Sequence, residues 1–127
     1  MERLALVCFG SAIGGGLRYL AAQVAVTLLG VGFPYGTLFV NITGSFFISF
    51  IMHVGLETDL ISPTTRLFLT TGVMGGLTTY SAFNFETLGL LRDGALLIAT
   101  LNFIGTLVLC LVSGILGFAA GRAWVGG

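Results

Sequence analysis

Four long apolar runs, separated only by short clusters of charged and turn-forming residues, constrain this chain more than any other feature. A helix needs about 20 apolar residues to cross the hydrocarbon core of a bilayer. The first run covers about 4–29, and Arg18 alone interrupts it. Gly30, Gly32 and Pro34 form a breaker cluster before the second run, about 37–56. Glu57, Thr58, Asp59, Ser62 and Pro63 make the next loop, and the third run covers about 66–91. Arg92, Asp93 and Gly94 give a tight polar turn before the fourth, about 95–120. Four such spans use nearly all of the 127 residues. The expected architecture is therefore all-α, a single transmembrane domain over 1–127 with four helices.

Composition removes the competing classes. Only 8% of the residues are charged, whereas an average soluble domain carries roughly 25%. Such a chain cannot coat a globule with polar groups. The formal net charge is zero, so there is no basic face for nucleic acid. High hydrophobicity without net charge excludes disorder. The first run continues past Arg18, which suits a retained helix better than a cleaved leader. Cys8 and Cys110 both fall inside spans and imply no disulfide framework.

Orientation is weakly specified. Four spans put both termini on one side, with Arg3, Arg66 and Arg122. The other side has Arg92, and Arg18 if it snorkels that way. This slight imbalance is compatible with one fixed topology or with insertion both ways up.

Polar groups in hydrocarbon are costly and mark either a pathway or a packing contact. Arg18 either snorkels to an interface or faces a watery vestibule that attracts anions. Thr37, Asn41 and Ser45 repeat every four residues and share one helical face. That stripe can hydrogen-bond a neighbouring helix or line a polar track. Asn41 offers two amide N–H donors to either.

The third span is anomalous. Gly72, Gly75 and Gly76 precede Thr78, Thr79, Tyr80 and Ser81. Glycine and β-branched threonine weaken a continuous helix, so a break is expected here, against the alternative of a straight helix packed closely on Gly72 and Gly76. Non-helical backbone at membrane depth persists only when buried in protein or lining a watery cavity. The freed carbonyls can ligate a cation, and freed N–H groups can hold an anion. Glu86 lies about two turns beyond and suits a vestibule. In the fourth span Asn102, Thr106, Cys110 and Ser113 share one face, while Gly114, Gly117 and Gly121 read as a packing face. Phe83 follows the break closely, and aromatic ring edges carry positive charge that suits a small anion.

Three segments resemble the Fluc (CrcB) fluoride channels of bacteria. They are Gly14-x-x-x-Arg18, Gly36-Thr37-Leu38-x-Val40-Asn41-x-x-Gly44, and Thr71-Gly72-x-x-Gly75-Gly76-x-Thr78-Thr79-Tyr80-Ser81-x-Phe83. The resemblance covers essentially the whole chain. It implies an antiparallel, dual-topology homodimer in the bacterial inner (cytoplasmic) membrane, with the third helix broken at its middle and two fluoride pores along the subunit interface. It implies a structural Na⁺ at the dimer centre, held by the backbone carbonyls of Gly75 and Thr78 from both subunits. Asn41, Phe83 and Tyr80 would line the pore, with Ser81, Thr79, Thr37 and Ser45 hydroxyls beside them. Asn102 and Thr106 would add donors from the fourth span. Arg18 and Glu86 would stand in the vestibules. Two departures stand out: Tyr80 replaces a phenylalanine usual in the family, and Asn102, Thr106 and Cys110 replace tyrosine, histidine and serine.

The implied activity is passive export of fluoride that conduction requires to be bound weakly enough to leave, conferring fluoride resistance; the protein would not be an enzyme. A small multidrug-type, proton-coupled transporter shares the four-span dimer but needs an acid in the first span, and none lies between Arg3 and Gly30. A non-transporting assembly subunit is the third possibility.

Overall fold

The computed structural model describes residues 1–126. Helix α1 (Glu2–Leu29) has 28 residues, about 42 Å of helix at 1.5 Å per residue. It stops at Gly30, whose φ of 81° suits glycine and whose N–H bonds the Val26 carbonyl at 3.0 Å. Pro34 precedes α2 (Tyr35–Glu57), which ends where Thr58 turns extended. Ser62 caps α3 (Pro63–Leu67) by accepting the Thr65 N–H at 3.1 Å, with Pro63 in the first turn.

The same helical path then widens into a π-helical segment, Phe68–Met74, and tightens again in α4 (Gly75–Leu77). The Thr70 hydroxyl donates to the Arg66 carbonyl at 2.7 Å, a back-bond that competes with the backbone ladder at the start of the π segment. Residues 78–80 are not helical, and α5 (Ser81–Arg92) resumes the path. Gly94, with φ 78°, turns the chain into α6 (Leu96–Gly126).

Among the described residues, three helices are long and apolar enough to cross a membrane: α1, α2 and α6. The third run is divided between shorter pieces. Large apolar side chains such as Leu20, Phe39, Leu97 and Leu111 are more than half exposed. Such a surface belongs in lipid, and the chain is a multi-pass membrane protein.

Small residues seat the helices on one another, as membrane helices without a hydrophobic drive between them require. A Cβ on Gly10 of α1 would stand 2.8 Å from the Phe68 carbonyl oxygen and 2.9 Å from the Gly72 Cα. One on Gly76 would stand 2.5 Å from the Ser11 carbonyl oxygen. The two glycine rows therefore bring α1 into backbone contact with the π segment and α4. On the other side, Gly117 of α6 sits against the Phe46 backbone of α2, and Gly121 lies beside His53. The Ser113 hydroxyl donates to the Ile42 carbonyl at 2.7 Å across the same seam.

Candidate functional site

The interruption at residues 78–80 is held by α2. Asn41 is buried and makes a reciprocal pair with Thr79. Its Nδ2 donates to the Thr79 carbonyl at 3.0 Å, and the Thr79 N–H donates to its Oδ1 at 2.8 Å. Gly44, one turn further along α2, leaves the space that the Thr78 methyl group enters. A polar side chain and a missing one thus receive the non-helical residues together.

This pairing redirects the backbone. In a continuous helix the Thr79 N–H would close on the Gly75 carbonyl, four residues back. It goes to Asn41 instead. The Ala82 N–H would likewise close on the Thr78 carbonyl, but it donates to Thr79 Oγ1 at 3.2 Å. Thr78 itself is extended, with φ −81° and ψ 154°. The Gly75 and Thr78 carbonyls thus lose their helical donors to other acceptors. Both are hard oxygen ligands of the kind that alkali and alkaline-earth cations take. Gly75 is exposed on the surface of the chain, and a Cβ there would meet only the Thr70 carbonyl oxygen, at an ordinary contact of 3.6 Å.

Two clefts meet at Thr79. The first, of about 280 Å³, is lined by Asn41, Ser45, Thr78, Thr79, Tyr80, Phe83, Thr106, Leu107 and Cys110. It brings the α2 stripe, the interruption and part of the α6 stripe onto common walls. The Tyr80 ring is 71% exposed, and Phe83 is buried at 3%. Their centroids lie 5.9 Å apart with the rings at 67°, an edge-on arrangement. Phe83 also stacks on Phe103, at 5.9 Å and 17°.

The second cleft, of about 400 Å³, holds Arg18, Thr37, Thr79 and Glu86 with Gly15, Tyr19, Ala22, Gly36 and Ala82. Arg18 Nε donates to the Gly76 carbonyl at 3.2 Å, which fixes the guanidinium at the end of α4 and leaves its two NH₂ groups as further donors. The Thr37 hydroxyl donates to Glu86 Oε1 at 2.6 Å. A cation and a carboxylate thus share one polar recess inside a membrane protein, where ionisable groups mark pathways.

Two of the sequence-derived pore residues line neither cleft. Ser81 is exposed, and its Oγ lies 3.4 Å from Thr79 Oγ1. Asn102 is 2% exposed, and its Nδ2 donates to Thr87 Oγ1 at 2.9 Å. Thr87 and Phe103 were not singled out by sequence reasoning. The four-residue step from Phe83 to Thr87 is the one signal that was available for Thr87. Nothing in the apolar surroundings of Phe103 distinguishes it from the other phenylalanines.

Residues 5–118 match a family described as "CrcB-like protein, Camphor Resistance (CrcB)". Similar proteins include one from Anaeromyxobacter sp. (strain K), 50% identical over 113 residues that cover 89% of this chain and 90% of the relative. Another, from Clostridium novyi (strain NT), is 46% identical over 125 residues, 96% of this chain and 98% of the relative. A third, from Sorangium cellulosum (strain So ce56), is 43% identical over the full length of both. All three carry the name "Fluoride-specific ion channel FluC".

Proposed function

This chain belongs to the CrcB family, and from that premise we propose that it is a fluoride channel releasing the anion passively across the cytoplasmic membrane. The observation that carries this reading is the first cleft, where Asn41, Ser45, Thr79, Tyr80, Phe83 and Thr106 converge. Fluoride is small and holds its water strongly, so a pore that strips the water must supply donors in its place. Asn41 spends one amide N–H on Thr79 and keeps the other. The hydroxyls of Ser45 and Tyr80 and the ring edge of Phe83 add weak donors, while Thr106 spends its proton on Asn102. No full positive charge lies in this cleft, so the ion can leave again, as conduction requires.

The second cleft serves as a vestibule. Arg18 draws anions toward it, and Glu86 keeps the Thr37 hydroxyl occupied until an anion competes for the same proton. Such a route needs no reaction chemistry, and the protein acts as a channel rather than an enzyme.

The working unit we propose is an antiparallel, dual-topology homodimer. The interrupted third path leaves Thr71, Gly75, Ser81 and Asn84 exposed. Polar groups facing hydrocarbon need partners, and a second copy supplies them. In that assembly the Gly75 and Thr78 carbonyls of both copies would hold one structural Na⁺ at the centre. Their fitness for this rests on the diverted backbone donors. The cation would neutralise the crowded carbonyl dipoles and keep the interruption open.

The test is fluoride-electrode efflux from proteoliposomes loaded with sodium fluoride. Efflux from the wild type that is lost in Asn41→Asp and reduced, but still measurable, in Phe83→Ile supports the reading. A wild type that is inert beside a conducting relative overturns it.

A further inference from the structure

A directional chain of hydrogen bonds runs behind the first cleft. The Thr106 hydroxyl donates to Asn102 Oδ1 at 3.4 Å, Asn102 Nδ2 donates to Thr87 Oγ1 at 2.9 Å, and the Thr87 hydroxyl donates to the Phe83 carbonyl at 2.8 Å. Its direction is fixed at the far end, because a backbone carbonyl accepts only. Thr87 spends its one proton there, so its oxygen must accept from the amide of Asn102. All three side chains are buried, at 2% for Asn102, 6% for Thr106 and 8% for Thr87. A buried network with every member satisfied holds one arrangement against its alternatives. Here it locks the rotation of α5 relative to α6, starting and ending at residues whose side chains line the cleft.

The next residue of α6 acts on the ring itself. Phe103 lies almost parallel to Phe83, 17° between planes and 5.9 Å between centroids, an offset stack that restricts how far the Phe83 ring can tilt. An aromatic face is electronegative and its edge electropositive. An anion meeting a Phe83 face would be repelled, whereas one meeting the edge would be held. On the basis of the fluoride-channel reading, we propose that Asn102 and Phe103 are positioning residues that decide which part of the Phe83 ring the ion meets. Asn102 sets the rotation of the helix that carries the ring, and the offset stack with Phe103 limits the tilt of the ring.

The experiment is a double-mutant cycle in proteoliposomes with two readouts, the fluoride efflux rate and the ratio of fluoride to chloride efflux. Asn102→Leu and Phe103→Leu should each lower that ratio by a factor of about 5 to 30, the effect of losing one or two kcal/mol. Combined with Phe83→Ile, neither should lower it further, because the ring they orient is gone. Effects that multiply unchanged through the Phe83→Ile background, or a ratio that stays at the wild-type value, would overturn the proposal. A second measurement stands apart from conduction: the ring-flip rate of Phe83, read by NMR in detergent. It should rise in Phe103→Leu and Asn102→Leu, and unchanged rates in both overturn the assignment. Wild-type protein that passes no fluoride would defeat the channel reading itself. Wild-type conduction with independent mutant effects would defeat this inference alone.

Discussion

Asn41 and Thr79 exchange two hydrogen bonds, each using the donor of one and the acceptor of the other, across the seam between α2 and the interrupted third path. That single side chain does the work of one helical turn. It satisfies the N–H and the C=O of a residue that no longer has helical partners. Asn41→Asp removes the donor to the Thr79 carbonyl and sets a carboxylate in the proposed anion route. We expect fluoride efflux to fall by at least a hundredfold, of which an unpaired buried carbonyl accounts for about 1–3 kcal/mol. Asn41→Gln that conducted like wild type would show that the pairing geometry is not required.

Tyr80→Phe keeps the ring set edge-on to Phe83 and removes one hydroxyl. A single neutral hydrogen bond nets about 0.5–1.5 kcal/mol, and this one faces an exposed edge of the cleft. The fluoride efflux rate should stay within about threefold of wild type, since an exposed donor lies at the low end of that range. Tyr80→Leu, which removes the ring as well, should conduct far less.

Arg18→Gln removes the positive charge from the second cleft and leaves Glu86 as the dominant field there. Fluoride efflux should fall several-fold at low ionic strength. The gap should narrow toward 1 M salt, where the screening length shrinks to about 3 Å. Efflux measured across a series of ionic strengths decides this. A gap independent of salt would place the effect in the Arg18–Gly76 hydrogen bond rather than in the charge.

Gly76→Ala drives a methyl group into the Ser11 backbone. Rigid overpacking costs typically 1–3 kcal/mol, and here backbone meets backbone. The variant should unfold at a lower temperature or fail to purify as one species. Gly105→Ala meets open space, gains helix propensity, and should be neutral or slightly stabilising. Thermal unfolding in detergent compares the two.

Sodium replacement tests the carbonyl pair formed by Gly75 and Thr78. Efflux should persist with Na⁺ and fall steeply when every small cation is exchanged for a bulky organic one. Equal rates in both solutions would remove the structural cation from the account.

Much of the fold was legible because a bilayer demands long apolar runs, and the charged clusters between them have nowhere else to go. Arg92-Asp93-Gly94 and the Gly30 to Pro34 cluster mark the turns within a residue or two. The convergence of Asn41, Ser45, Tyr80, Phe83 and Thr106 was legible too, through helical spacing and the resemblance of the motifs. The π segment was not. It depends on how the Thr70 back-bond and the Gly10–Gly72 contact share one stretch of backbone, and neither is a periodicity. The α6 stripe was legible only as a stripe. Asn102 turns to Thr87, Thr106 and Cys110 line the cleft, and Ser113 reaches the Ile42 carbonyl. One helical face serves two helices and the cleft between them because α6 lies against both α5 and α2, which spacing along a single helix cannot reveal.

The diverted donors at Gly75 and Thr78 carry a consequence for assembly. Two carbonyls from one copy would make only part of the coordination shell of the proposed cation. If a second copy completes it, ion affinity and subunit affinity become one linked quantity. Whatever factor the partner adds to cation binding, the cation must return to subunit association. Dilution in detergent would then strip the ion by separating the copies, and chelating or exchanging the ion would loosen the pair. The occupancy of a small backbone site would set how long a whole membrane complex survives.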